Sequence, residues 1–207
     1  MAPLQVTYWI WDAWAASWVI AALWASRASV RAPVWSEAWR DVLGVAGAII
    51  LVVLAAPGVI HEPGPLGALH AALLAPLWQA PEPIAWSLVA LTLAGFGFCW
   101  WARLHLGRLW SGLVGRKAAH HIVDSGPYAL VRHPIYTGLI AVLLAMALLK
   151  GTLAAVCGAA LAVASLWLKA RLEERFLRAE LGAESYDAYR RRTPMLLPSP
   201  RTARPSA

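Results

Sequence analysis

Five apolar stretches, at residues 6–26, 42–60, 83–102, 135–149 and 152–170, alternate with short segments that hold nearly all the charged residues. A membrane-spanning helix needs about 20 mostly apolar residues, and somewhat fewer suffice in a short helix pair or a thin bilayer. The pattern therefore predicts an all-α integral membrane protein with about five transmembrane helices. Only Lys150-Gly151 separates the last two stretches, which predicts a tight C-terminal helical hairpin. Residues 66–79 are apolar but short and are framed by Pro63, Pro65, Pro76, Pro81 and Pro83, as expected of an interfacial or re-entrant helix. After residue 170 the pattern changes. Arg171, Arg175 and Arg178 share one side of a helix and Leu172, Phe176 and Ala179 another, predicting an amphipathic helix along the cytosolic leaflet. Leu181-Gly182 marks its stop, and a second short helix carries Tyr186 and Tyr189. Pro194, Pro198, Pro200 and Pro205 make the end of the chain extended or disordered. The chain thus divides into three spans plus the interfacial segment (1–102), a polar-faced unit around the two-span hairpin (103–198) and a disordered tail (199–207).

Charge orients these spans. Of the 18 Lys and Arg residues, Lys150 alone falls on the outer side if the amino terminus lies outside; Arg27, Arg31 and Arg40 crowd the first loop, and Arg103, Arg108, Arg116 and Lys117 the third. Basic loops stay on the cytosolic side of a membrane. The same clustering at helix ends accounts for the net charge of +7 without nucleic acid, which would call for a separate basic module with interleaved aromatics. A composition of 60% hydrophobic and 14% charged residues exceeds what a soluble core of 207 residues can bury, so the surplus faces lipid. The first stretch lacks a basic leader and carries Trp9, Trp11, Trp14, Trp18, Trp24 and Asp12, so it reads as a retained span and not a signal peptide. Trp35, Trp39, Trp100, Trp101 and Trp110 are placed at the inner boundary, where an indole buries its ring and keeps its N–H wet. Cys99 and Cys157 read as buried thiols packing as small hydrophobes, and no Cys-rich or His-rich spacing points to a metal. Gly95-Phe96-Gly97 lies inside a span and reads as small-residue packing, not as a dinucleotide loop.

The candidate chemistry gathers in two places. Ser125-Gly126-Pro127-Tyr128 is a bend, since Gly tolerates positive φ and Pro presets a turn, and Asp124 before it suits an Asx-type turn. Pro134 suits a first helical turn, which puts His133 at the cap, Arg132 just outside and Tyr136 one step in. That helix start would favour an anionic group such as a carboxylate. Singly, an Arg here is a phosphate anchor, a His a cap and a Tyr part of an aromatic belt; together they point to a site. Glu173 and Glu174 follow the last span, where carboxylates are costly unless solvated, paired or functional. Neighbouring helical residues stand about 100° apart, so one of the two faces a pocket and the other pairs with Lys169, Arg171, Arg175 or Arg178. His105, His120 and His121 belong to the same inner-face loops, whereas His61 and His70 fall on the opposite side.

From about residue 103 to 198 the chain resembles the isoprenylcysteine carboxyl methyltransferase family and, more distantly, the phospholipid N-methyltransferases. The resemblance rests on His120-His121-Ile122-Val123, Gly126-Pro127-Tyr128, Arg132-His133-Pro134-Ile135-Tyr136-Thr137-Gly138, Glu173-Glu174, Leu181-Gly182, Tyr186, Tyr189 and Thr193-Pro194. It implies S-adenosylmethionine bound by loops and helix ends at the cytosolic face, making 103–198 a cofactor-binding methyltransferase core. By this resemblance His120, the Ile122-Val123 backbone, Gly126, Tyr128, His133, Pro134 and Tyr136 contact the cofactor. Glu173 holds its amino or ribose end beside Glu174, and Arg132 braces the pocket. Arg132, His133 and Lys169 form the implied catalytic set. Lys169 stands where the family carries an Arg that receives the substrate carboxylate, and it lacks that residue's bidentate fork; Arg171 points elsewhere on the helix.

The expected function is methyl transfer from S-adenosylmethionine to a lipophilic or lipid-modified acceptor at the cytosolic face of a membrane, taken to be a bacterial inner membrane. Such an enzyme needs chiefly to align donor and nucleophile in a site shielded from water. A carboxylate acceptor needs no general base; for an amine or thiol, His120 or His133 takes the proton. Two other readings stand beside it. Sterol and steroid reductases share the Arg-His-Pro and Tyr pattern and use NADPH, but they tend to carry Asn where this chain has Ile135. A non-catalytic membrane protein predicts no cofactor binding at all.

Overall fold

The computed structural model describes residues 2–22, 30–31, 42, 44, 46–47, 64–107, 115–116 and 122–198. The second expected span beyond residue 47, His61, His120, His121, Trp35, Trp39, Trp110 and the tail at 199–207 lie outside the described residues. The elements are α1 (Pro3–Ala22), β1 (Val30–Arg31), α2 (Pro65–Leu74), α3 (Glu82–Leu106), β2 (Gly115–Arg116), α4 (Pro127–Leu130), α5 (Pro134–Lys150), α6 (Leu153–Leu181) and α7 (Ala183–Arg192). Among them α3 and α6 are long and apolar enough to cross a bilayer, and α2 and α5 are shorter apolar helices.

α3 and α5 cross closely, at a point where two glycines let the backbones touch. A Cβ on Gly138 would lie 2.5 Å from the Gly95 carbonyl oxygen and 2.6 Å from Cys99 Sγ, and one on Gly95 would strike Val142. Small residues at a helix crossing allow this approach. Gly97 has nothing within 4 Å, so the packing expected of the Gly-Phe-Gly run belongs to Gly95 alone. α1 runs parallel to α3, tied by Arg103 Nη2 donating to the Ala21 carbonyl (3.1 Å) and by Trp100 Nε1 donating to Ser17 Oγ (3.2 Å). Past the ends of these helices β1 pairs antiparallel with β2, Val30 opposite Arg116, so the first and third loops meet on one side.

At the other end the chain turns from α5 into α6 through Gly151, in left-handed conformation (φ 62°), while the Thr152 side chain accepts from Ala155 N at 3.2 Å as an N-cap. The loop after α2 docks here: Leu77 N donates to Gly151 O (2.7 Å) and Trp78 Nε1 to Leu148 O (2.8 Å). The core beneath joins Leu143, Met146 and Ala147 of α5 to Ala155, Ala159 and Ala162 of α6, with Leu4, Tyr8 and Trp11 of α1 against it. Cys99 is fully buried, but Cys157 is exposed, correcting the expectation of two buried thiols. It lies on the face of α6 opposite the Ala155 and Ala159 stripe, in the apolar first half of that helix.

A second correction concerns the amphipathic segment. α6 continues unbroken for 29 residues to Leu181, so residues 171–181 extend that helix and do not form a separate one along the leaflet. The arginines there are good helix formers, and no Gly or Pro interrupts until Gly182. At 1.5 Å per residue α6 is about 43 Å long, so its last turns extend about 13 Å beyond a hydrocarbon core of about 30 Å. The chain after α7 is extended and docked. Pro194 O and Met195 O accept from the backbone N–H groups of Arg132 (2.9 Å) and His133 (3.1 Å), and Leu196 O accepts from Thr137 Oγ1 at 2.7 Å.

Candidate active site

The end of the bundle where α3 stops, α5 begins and α6 projects holds a cavity of about 340 Å³. Its wall brings together Ile122, Val123 and Tyr128 from the loop and α4, Arg132, His133, Pro134 and Tyr136 at the start of α5, and Lys169 and Glu173 on α6. Residues more than 40 positions apart in sequence thus share one site. Gly126 and Glu174 stand outside its wall.

Each position has a local cause. Gly126 adopts φ 57°, which turns the chain into α4, and a Cβ there would strike the His105 ring. His105 also bonds Ser125 Oγ (2.9 Å) and stacks near Tyr128, with ring centroids 6.3 Å apart. Tyr189 OH donates to the Tyr128 carbonyl at 2.7 Å, holding α7 against this turn. Pro134 opens α5 at a position that needs no N–H, leaving His133 to stack parallel on Tyr136 at 5.5 Å.

The two glutamates divide as their helical offset requires, but the one turned from the cavity pairs with Arg132 and Arg190, which the fold brings in from outside α6, and not with a basic neighbour on its own helix as expected. Glu173 faces the cavity, accepts from Tyr136 OH at 2.5 Å and lies 3.4 Å from His133 Nδ1. Glu174 is buried and accepts from Arg132 Nε (2.7 Å), with Arg132 Nη2 at 2.6 Å and Arg190 Nε at 3.7 Å. The Arg132 fork also donates through Nη1 to the carbonyls of Arg190 (3.2 Å) and Thr193. One guanidinium therefore ties the start of α5 to α6, α7 and the docked chain end.

Electrostatics follow from this packing. Burial alone would raise the Glu174 carboxyl, but the nearby His133 and the hydrogen-bonded, charged Arg132 outweigh it and hold the group below its ordinary range. For His133, burial opposes protonation, and the carboxylates of Glu173 and Glu174 outweigh it, raising the imidazole above its usual value. His133 Nε2 is buried 3.5 Å from Glu174 Oε1 without the alignment of a hydrogen bond. The Tyr128 phenol is pushed up by burial and then by the charge of Glu173, so it stays a neutral donor.

The wall also holds residues that the sequence reading did not place there. Trp14 and Trp18 of α1 line it, as do Leu106, Leu139, Leu166, Leu177, Leu181, Tyr186 and Tyr189. The signal for the tryptophans was their spacing of four, which puts both on one face of α1. Lys169, one helical turn from Glu173, lines the cavity, whereas Arg171 lies over the Trp167 ring at 5.0 Å.

Fold and site together define a helical membrane protein with a largely apolar cavity, polar in part, at one end of its bundle. Residues 88–179 match the sequence profile of the isoprenylcysteine carboxyl methyltransferase (ICMT) family, which supports the resemblance drawn from the motifs. The chain is also 32% identical over 124 residues to the cobalt-zinc-cadmium resistance protein CzcN of Cupriavidus metallidurans, a match covering 58% of this chain and 51% of that protein. The chain spans about half the length of this curated relative.

Proposed function

We propose that this protein transfers a methyl group from S-adenosylmethionine to a lipophilic acceptor at the cytosolic face of a membrane, with five spans and the amino terminus outside. One observation carries the reading: a single cavity joins Tyr128, His133 and Tyr136 to Glu173. Its donor set fits the cofactor. Glu173 offers a carboxylate to an ammonium or to ribose hydroxyls, the side chains of Tyr128, Ile122 and Val123 offer flat and aliphatic surface to an adenine, and the cavity volume lies in the range of small-molecule sites. When bound, S-adenosylmethionine supplies a sulfonium-activated methyl group, so the chain has to orient, shield and discharge rather than activate.

The side chains divide that work. Tyr136 fixes the Glu173 carboxylate by its hydrogen bond, and His133 lies beside it. Arg132 lines the wall with Glu174 behind it, and its bonds hold α7 and the docked chain end against the start of α5. Lys169 adds a positive charge to the wall that Leu139 and Leu166 also line, where an acceptor carboxylate would meet it. For an acceptor that must lose a proton, His120 or His133 takes it, His133 doing so only in its neutral form, above its raised folded-state value.

The test is calorimetric titration of detergent-purified protein with S-adenosylhomocysteine and, separately, with NADPH. S-adenosylhomocysteine is expected to bind, and Glu173→Ala to weaken it by about tenfold or more, the loss of one charge-assisted contact. Binding of NADPH without binding of S-adenosylhomocysteine would overturn the proposal in favour of a reductase.

A further inference from the structure

Ile122, Val123 and Tyr128 form part of the cavity wall, yet they sit on a segment with little structure of its own. Residues 122–126 belong to no helix or strand, and α4 after them is four residues long. Such a segment keeps its place through its ties to the rest of the molecule. Two of these come from α7: the Tyr189 hydroxyl donates to the Tyr128 carbonyl at 2.7 Å, and Arg192 pairs with Asp124 at 3.3 Å. The side chains of that ion pair are 62% and 48% exposed, so it contributes little. On the α3 side the tie is His105, in the last turn before Gly107 ends the helix. His105 is exposed, stands outside the cavity wall and has no part in the chemistry described above.

The imidazole meets the turn at three residues. Nε2 bonds Ser125 Oγ at 2.9 Å, across 20 positions of sequence. A Cβ on Gly126 would lie 2.7 Å from Cε1, 2.9 Å from Nδ1 and 3.1 Å from Nε2, so the bare glycine packs against that edge of the ring. The Tyr128 ring lies at a centroid distance of 6.3 Å with its plane tilted by 26°. The ring thus backs the chain at Gly126, where φ is 57° and the turn is tightest. We infer that His105 is a positioning residue, holding the Ser125–Tyr128 turn in the form that presents Tyr128, with Ile122 and Val123 before it, to the cofactor. The role rests on the methyltransferase reading for the identity of the ligand; the hold on the turn does not. A site that is competent only part of the time binds with an affinity reduced by that fraction. Loss of His105 therefore shows as weaker binding, while the bundle core, which this exposed side chain does not enter, keeps its stability.

The experiment titrates S-adenosylhomocysteine calorimetrically into the detergent-solubilised full chain. In parallel, hydrogen exchange is followed at the amides of Tyr128 and Ala129, which donate to the carbonyls of Ser125 and Gly126 at 3.1 Å each. His105→Ala is expected to weaken binding about fivefold, the scale of one hydrogen bond. Exchange at the two amides should quicken, and the melting temperature should stay within about 2 °C of wild type. Ser125→Ala alone should weaken binding by less, and added to His105→Ala it should cost nothing further, since its partner is already gone. His105→Gln, which keeps an amide donor at similar reach, should recover part of the affinity. Wild-type affinity in His105→Ala would overturn the inference, as would losses that add in the double variant. A melting temperature lowered by more than about 5 °C alongside lost binding would overturn it too, marking a general role in folding. If S-adenosylhomocysteine does not bind the wild type, the methyl-transfer reading falls; faster exchange at the two amides in His105→Ala then upholds the hold on the turn, and unchanged exchange overturns it.

Discussion

Replacing Arg132 by Met removes a side chain that reaches α6, α7 and the docked chain end together. The guanidinium and the Glu174 carboxylate are 8% and 6% exposed, so the change leaves a buried carboxylate without its main partner. Such a loss costs about 3–5 kcal/mol. Glu174 keeps His133 at 3.5 Å and Arg190 at 3.7 Å, which places the cost at the lower end of that range. At about 2–4 °C per kcal/mol for a chain of this size, a loss of about 3 kcal/mol lowers the melting temperature by about 6–12 °C near pH 7. The sign of the pH dependence follows from the depressed Glu174 carboxyl. Its contribution to wild-type stability is complete above the ordinary carboxylate pKa of about 4.3 and is lost as pH falls through the lower folded-state value. The gap between wild type and Arg132→Met should therefore narrow in acid. Thermal unfolding in one detergent, followed by circular dichroism from pH 7 to pH 3, measures it. A gap of less than about 2 °C at pH 7, or one that stays constant into acid, refutes the role given to this pair.

Three further outcomes follow from the same geometry. His133 is raised by its two glutamates, so its stabilisation is present below about pH 6.5, the unfolded value, and is lost as pH rises through the folded value; wild type should lose melting temperature over that interval and His133→Gln should show a flatter profile. Gly138→Ala should lower the melting temperature by about 2–10 °C because its methyl meets Gly95 and Cys99, while Gly97→Ala, with open space around it, should be neutral. For the orientation, a thiol at Gln79 should react with an impermeant maleimide on intact cells and a thiol at Asp124 only after lysis; the reverse pattern inverts the topology.

How much of this was legible in the chain varied with the range of the cause. Pro134, Gly151 and Gly182 act locally, through a missing N–H or a permitted φ, and the helix boundaries they imply are those observed. The split between Glu173 and Glu174 was likewise readable, because a 100° offset cannot aim both at one pocket. The motif residues 122, 123, 128, 132, 133 and 136 face a common cavity with Glu173, as their sequence order alone could not specify. What escaped was non-local. Trp14 and Trp18 read as ordinary residues of an apolar span until the parallel packing of α1 on α3 brought them to the cavity. The docking of residues 194–196 on the start of α5 uses backbone carbonyls, which leave no mark in side-chain patterns. The continuity of α6 was hidden because a change from apolar to amphipathic periodicity alters what surrounds a helix without breaking it.

The central claim, that the Tyr128 turn, the start of α5 and Glu173 form one adenosyl pocket, is tested most directly by a structure determined with S-adenosylhomocysteine bound. The account predicts ligand density within hydrogen-bonding distance of the Glu173 carboxylate and in contact with the Tyr128 ring. Density elsewhere in the bundle, with this cavity empty at saturating ligand, would contradict it.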